Sequence, residues 1–483
     1  MKRREFIAAT TTAGMAMGFG GVASKLRGTD ADTFRLVRDV PVERGFDLVV
    51  AGGGPAGAAA AICAARLNAR VLLVDEMQFL GGVATAAWVP FVPPLSNHEV
   101  VFVGGLYREI LDSLFTGGFV QPSVKRLDEA RFRHWFGYNP EGLKLVLDDL
   151  AQDAGVELRF ATRVIDAEVD SGKNTVRGVI LSNIEGYRYV EAKAFVDATG
   201  DAVLAHLCGA ECREVGRDAM PPTLVSAFAG IDYGRFNHAG QCDGLERALA
   251  DGHFSQADRH LSGMMRIGET TACLNGGHIF DFDSTRCGDL TAGAIRGRKI
   301  AREYYEFFRK YVPGCENIEQ VATAPKIGVR ESRRVVGEYT LDVDDFLAWR
   351  EFPDQIAVHN YPIDIHVKDS SEADYQRFLS EYKAKRETRG RVFGLPYGIL
   401  VPRGWTNLWT AGRCASSDVK VHSSIRIQAC CAMMGQAAGT AAVQSIRTGR
   451  PAAELDTSLL VDTLRRAGAY LPQKETSGAM TRG

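Results

Sequence analysis

The sequence predicts an α/β protein with an inserted mixed α+β domain, and three observations carry that prediction. The apolar run Asp47-Leu48-Val49-Val50-Ala51 opens directly into Gly52-Gly53-Gly54-Pro55-Ala56-Gly57 and an alanine-rich stretch ending near Leu67. A second apolar run, Val71-Leu72-Leu73-Val74, follows a turn at Asn68 and Ala69 and stops at Asp75. Strand patterns that close on glycine return at 194–201 and 407–413, so long insertions separate pieces of one sheet.

Composition sets the outer bounds. At 483 residues, 46% hydrophobic and 24% charged, the chain is long enough for two or three packed domains and is neither disordered nor collagen-like. Lys+Arg 57 against Asp+Glu 59 leaves a net charge of −2, which gathers neither nucleic acid nor an anionic membrane. Glycine departs from the average: 51 of 483 is about 11%, where roughly 7% is usual. That surplus asks for bare backbone.

Each piece of the first unit has a physical task. Gly52 makes a tight turn, Gly54 lets a pyrophosphate approach the backbone, and Gly57 lets the following helix lie close to the sheet. Pro55 and Ala56 belong to the cofactor-binding turn ahead of the helix expected over Ala58 to Leu67, whose free N–H groups and positive dipole end face the phosphates. Asp75, eighteen residues after Gly57, can accept hydrogen bonds from both ribose hydroxyls. A lone GxGxxG is weak evidence. Strand, turn, helix, strand and acid in this order make a Rossmann-like dinucleotide site.

The choice of dinucleotide rests on later motifs. Gly81-Gly82, inside Phe79-Leu80-Gly81-Gly82-Val83-Ala84-Thr85, stands where an NAD protein would continue its alternation, and resembles the second loop of flavoproteins of the glutathione-reductase type. Ala198-Thr199-Gly200-Asp201 resembles their strand-then-ATG motif, and Ala411-Gly412-Arg413 their final glycine-arginine turn. From Phe46 to about Ser445 the chain resembles the FAD-dependent oxidoreductases related to the flavin subunits of fumarate and heterodisulfide reductases. Gly277-His278, Gly328-Val329-Arg330-Glu331-Ser332-Arg333-Arg334, Ser424-Ile425-Arg426 and Gly435-Gln436-Ala437-Ala438-Gly439 carry that resemblance further. It implies a glutathione-reductase-type FAD domain, FAD as cofactor, and a backbone contact from Val164 to the adenine. One departure is Ala429, where the pattern has a proline.

Ser423 or Ser424 can cap a helix over 429–443, whose small residues Gly435, Ala438 and Gly439 suit close packing. The resemblance turns that helix N-terminus towards the flavin and makes Ser424, Ile425 and Arg426 cofactor contacts. Arg426 also reads as a charge reaching for the surface.

The motif order makes the FAD domain discontinuous, over 45–90, 140–209 and 392–447, with an insertion at 91–139, a substrate or cap domain at 210–391 and a tail at 448–483. The cap reads as mixed, with a helical pattern over 290–311 and β-like stretches at 335–341 and 356–366. No second GxGxxG occurs, which argues against a built-in NAD(P)H domain. Candidate catalytic groups are His278, His359 and Arg330, with His366 and Arg333 beside them. Each has a structural alternative, a hydrogen-bonded core histidine or a salt-bridged turn. The ten cysteines form no CxxC and no zinc pattern, so they read as small buried residues and no metal is expected. Cys414, beside Arg413, reads either as buried or as reactive towards the flavin.

Residues 1–30 are set apart. Lys2-Arg3-Arg4-Glu5-Phe6-Ile7, the apolar stretch over 8–22 and Gly21-Val22-Ala23 resemble a twin-arginine signal, which implies export to the periplasm or beyond. A basic tail or an uncleaved anchor are the alternatives, although fifteen apolar residues are too few to span a bilayer stably. The expected function is an exported oxidoreductase that moves a hydride between a small organic substrate and FAD, with a separate electron acceptor or donor. The alternatives are a non-catalytic electron carrier and a reductase of the fumarate type.

Overall fold

The computed structural model describes residues 35–133, 135–261, 263–382 and 388–472; the expected signal segment and the end of the tail lie outside them. The short segment 35–39, which has no regular structure, belongs to a separate unit, and the body is Val40–Gly483. In the body, β1 (Val42–Ala51) leads into α1 (Pro55–Arg66) and β2 (Val71–Val74). Then come β3 (Glu157–Arg159), β4 (Arg163–Asp170), β5 (Thr175–Asn183) and β6 (Gly186–Asp197). A second group holds β7 (Ser226–Ala229), β8 (Met265–Arg266), β9 (Ala272–Leu274), α2 (Cys287–Tyr311) and β10 (Glu319–Thr323). The chain closes through β11 (Gln355–His359), β12 (Phe393–Pro396), β13 (Leu408–Thr410), α3 (Val419–Ile425) and α4 (Gln428–Thr448).

The main sheet runs β3-β2-β1-β6-β5-β4, with β13 paired to the end of β6. The pairs among β3, β2, β1, β6 and β13 are parallel, whereas β4 and β5 add an antiparallel extension. Ala51 pairs with Val74 and Asp197, and Asp197 with Thr410, so four strands end level and their loops share one edge. That edge is where parallel α/β sheets bind ligands.

Helix packing explains much of the glycine. Every residue of α4 from Gln428 to Ser445 is buried, so this helix is a core element with no wet face. A Cβ on Gly435 would lie 2.0 Å from the Ala56 carbonyl oxygen and one on Gly439 2.2 Å from that of Ala60. These two glycines, one turn apart, let α4 touch the backbone of α1. Behind the turn, a Cβ on Gly57 would stand 1.7 Å from the Gly52 oxygen, and Gly52 itself has φ +95°.

The second sheet, antiparallel in the order β8-β9-β7-β10, packs on α2 around Phe228, Tyr304, Phe307 and Phe308. The helix expected over 290–311 thus begins slightly earlier. This core spans Leu224 to Ile327, while β11 and β12 place Ile356, Val358, Phe393 and Leu395 in the core of the main sheet. Among the described residues no helix is long and apolar enough to cross a membrane.

Candidate functional site

A cleft opens at the level strand ends. Gly52, Gly54, Pro55 and Ala56 line it from the β1–α1 turn, Asp75 and Met77 from beyond β2, and Gly82 from the next loop. Gly200 and Asp201 reach it from β6, Gly412 and Arg413 from β13, and Arg426, Gln428 and Cys431 from the approach to α4 and its first turn. The N-termini of α1 and α4 both meet this space without a side-chain cap or an acidic residue in the first turn. Their free N–H groups therefore face the cleft.

Asp75 fastens the glycine turn. One carboxylate oxygen accepts the Gly53 N–H at 2.5 Å and the other the Met77 N–H at 2.7 Å, which ties the glycine turn to the end of β2. Burial raises its carboxyl, against the pull of those two N–H groups. Across the cleft Arg413 donates to Asp201 at 2.8 Å, and Ser332 donates to the same carboxylate at 2.6 Å. Burial opposes ionisation of Asp201, yet Arg413 and Ser332 hold it below the ordinary carboxylate value.

Next to Lys326, Ile327 and Val329, which line the cleft, lies a cluster of polar groups behind the lining. Thr223 bridges to both His278 and Gly328, so backbone pairing brings His278 and Arg330 together. His278 Nδ1 lies 2.9 Å from Asp258, its Nε2 lies 2.8 Å from His366 Nδ1, and Arg330 Nε donates to His366 Nε2 at 3.2 Å. Arg330 also donates to the Pro221 oxygen, Thr223 Oγ1 and Asn275 Oδ1, and among the described residues no carboxylate pairs with it. Burial and the neighbouring Arg426 push its guanidinium down to about 9. Burial and Arg330 hold His366 well below the usual histidine value. Arg426 donates to Asp364 at 3.1 Å, while its Nε is buried without a partner.

The family described as FAD dependent oxidoreductase matches residues 47–466. The chain belongs to this family. Its cofactor is FAD, and it is an FAD-dependent oxidoreductase. Among curated proteins it is 28% identical over 194 residues to "Fumarate reductase (cytochrome)" of Shewanella frigidimarina, covering 32% of this chain and 33% of that one. The chain therefore spans about a third of the length of that relative. It is 29% identical over 174 residues to "Uncharacterized protein in nifH2 5'region" of Methanosarcina barkeri, covering 33% of this chain and 84% of that one. Among solved structures, a geranylgeranyl bacteriochlorophyll reductase-like protein from Thermoplasma acidophilum aligns at TM-score 0.46 and 14% identity, covering 88% of this chain and 83% of that one. An L-proline dehydrogenase from P. horikoshii aligns at 0.42 and 13%, covering 88% and 99%.

The residues present suit FAD. Two uncapped helix N-termini provide donors for phosphate, and a Cβ on Gly54 would meet nothing nearer than Gly82 Cα at 3.8 Å, so backbone can approach the phosphates there. Of the expected cofactor residues, Gly52, Gly54, Pro55, Ala56, Asp75, Gly82, Gly200, Asp201, Gly412, Arg413 and Arg426 line the cleft. Gly57 and Gly81 stand behind it: Gly57 packs against Gly52, and Gly81 donates its N–H to the Gly53 oxygen. Val164 lies on β4 opposite Leu181, away from the cleft; it is Ala161 and Thr162 whose N–H groups reach the oxygens of Met77 and Asp75.

Ser423 and Ser424 cap nothing. Both lie inside α3, and α4 starts after Ile427 with no side-chain cap. Instead Ser424 donates to the Tyr361 oxygen and Ser423 accepts the Asp364 N–H, fastening the 361–364 segment that presents Asp364 to Arg426. Ile425 is core. His359, expected at the reacting centre, sits among Phe102, Phe393 and Tyr361 on β11 and is off the cleft. It bonds the Ser424 oxygen at 3.2 Å, and burial lowers it to about 4. His278 and Arg330 are likewise not among the residues that line the cleft; they belong to the cluster behind Val329, with both His278 ring nitrogens engaged. Arg333 pairs with Glu214, and Arg334 with buried Glu331, which is the salt-bridged turn that was the alternative for this segment.

Cys414 is fully buried off the cleft, and burial raises its thiol. Cys431 does line the cleft, where burial pushes its thiol up to about 12 and it donates to the Arg426 oxygen. Neither is a ready thiolate nucleophile. Sequence reasoning missed Met77, Lys326, Ser332, Asp364, Asp258 and His260. Only Ser332 and Lys326, close to the Arg330 motif, offered a local signal.

Proposed function

We propose that the chain is an exported oxidoreductase that transfers a hydride between a small organic substrate and FAD, and exchanges the electrons with a separate partner. The observation that carries this reading is Arg426, a cleft-lining guanidinium whose buried Nε has no partner and whose position is fixed by Asp364. Such a donor finds its acceptor in a bound molecule. When bound, FAD supplies the hydride acceptor or donor. The chain's own residues do the rest: Arg413 and Asp201 brace one wall of the cleft, and the Arg426 guanidinium makes another positive. A positive wall orients a polar substrate and lowers the cost of negative charge developing on it.

The test is anaerobic addition of candidate donors to the oxidised flavoprotein. Rapid bleaching of the flavin absorbance by one chemical class is expected. Bleaching by redox proteins alone would replace the enzyme with an electron carrier. The reverse direction is favoured by the local similarity to a fumarate reductase; reoxidation of dithionite-reduced protein by fumarate would support it. Export rests on Arg3 and Arg4, and their replacement by Lys is expected to leave the protein inside the cell.

A further inference from the structure

Three histidines converge from segments far apart in the chain, and the reading above uses none of them for chemistry. His260 comes from the loop after residue 254, His278 from beyond β9, and His366 from the segment after β11. One ligand nitrogen from each lies within 4.8 Å of the other two. The ring centroids form a nearly even triangle of 4.6, 5.0 and 5.1 Å. Imidazoles held about 2.0–2.1 Å from one cation at roughly tetrahedral angles have centroids about 5 Å apart. The geometry points to a three-imidazole site for a divalent transition-metal cation.

The groups behind the rings agree. Asp258, 2% exposed, accepts His278 Nδ1 at 2.9 Å, which turns Nε2 inward, and it also accepts the backbone N–H groups of His260 and His278. A carboxylate in this outer position fixes the ring orientation and tautomer of a metal-bound histidine. His366 Nε2 accepts from Arg330 and lies 3.6 Å from Asp364, so freeing Nδ1 for a cation requires the ring proton to pass to Nε2, on the side of that carboxylate. His260 Nδ1 is buried without any hydrogen-bond partner. His278 Nε2 and His366 Nδ1 are hydrogen-bonded at 2.8 Å, so admitting an ion requires them to part to about 3.3 Å. Arg330 beside His366 disfavours a cation, and the two carboxylates offset it. An all-imidazole set selects Zn²⁺, Fe²⁺, Ni²⁺ or Cu²⁺ over Mg²⁺ and Ca²⁺, and three protein ligands leave a position open for water or substrate.

The experiment is a Co²⁺ titration of chelator-stripped, FAD-loaded protein, read by d–d absorption to the red of the flavin bands and by metal content after desalting. One equivalent is expected. His278→Ala and His366→Ala should abolish uptake, Asp258→Asn should weaken it roughly ten- to hundredfold, and the exposed His206→Ala should leave it unchanged. The flavin spectrum reports that each variant is folded; should His278→Ala lose its flavin, the partly exposed His260→Gln takes its place with the same expectation. No uptake, or one equivalent held equally by all the histidine variants, would overturn the site and leave a hydrogen-bonded imidazole pair. Because uptake is read without any donor, it stands or falls separately from the hydride-transfer reading.

Discussion

The strand-end wall of the cleft and the histidine–arginine cluster beside it are encoded differently. The strand-end wall is local: Gly52 to Gly57, Asp75, Gly200 with Asp201, and Gly412 with Arg413 each sit directly after a strand of one parallel sheet, so sequence spacing fixes their place. The histidine–arginine cluster beside the cleft is assembled by tertiary pairing alone. Asp258, His278, Arg330 and Asp364 meet because Thr223 bridges the His278 and Gly328 segments and because Ser423 and Ser424 fasten the 361–364 loop. The strand ends are thus written as a motif, while the cluster is written as packing, and the two should respond to mutation in different ways.

The largest effect is expected at the local wall. Gly57→Val puts a side chain where even a Cβ would be 1.7 Å from the Gly52 oxygen, so α1 must move off the turn. Overpacking of this kind costs about 3 kcal/mol; the expected outcome is colourless protein with a lowered melting temperature, and a yellow, normally stable variant would break the comparison. Next comes Arg426→Ala, at the approach to α4 in the same cleft, where flavin content should hold while donor-dependent bleaching slows. Losing a charge-assisted hydrogen bond is worth about 1.5–3 kcal/mol, or roughly ten- to hundredfold in rate. His359→Phe provides the contrast: it strands the Ser424 oxygen and lowers stability, yet bleaching per bound flavin is expected to stay at the parent rate. Asp75→Asn should weaken FAD retention by about 1 kcal/mol, measured as the rate of flavin loss on dilution.

These expectations follow the line between what was legible and what was not. The α/β class, the helix over Cys287–Tyr311 and the strand-end residues were readable because each depends on neighbours within a few positions. His359 was misread because a histidine in an apolar strand looks alike from sequence whether it faces a cleft or, as here, Phe102 and Phe393. The serine cap failed for a related reason. Ser423 and Ser424 precede an alanine-rich run, but a short helix had already begun at Val419 under the cap of Asp418, and the chain breaks again at Arg426. Asp258 and His260 carried no signal, since nothing local distinguishes a loop Asp-Arg-His from any other solvated stretch.

The smallest effect is a pH limb that belongs to the strand-end wall alone. Asp201 lies below the ordinary carboxylate value because Arg413 and Ser332 outweigh its burial. A carboxylate lowered in the folded state stabilises fully above its unfolded value of about 3.9, and that stabilisation fades as pH falls through the lower folded value. Melting temperatures followed from pH 6 down to pH 3 should therefore decline more steeply in the parent than in Arg413→Ala, whose Asp201 has lost its cation. Asp201 and Arg413 are both partly exposed, so added salt should narrow the gap between the two curves. Parallel curves at every ionic strength would mean that Arg413 serves the cofactor and not the fold. The strand-end wall would then share with Arg426 a charge that waits for its ligand.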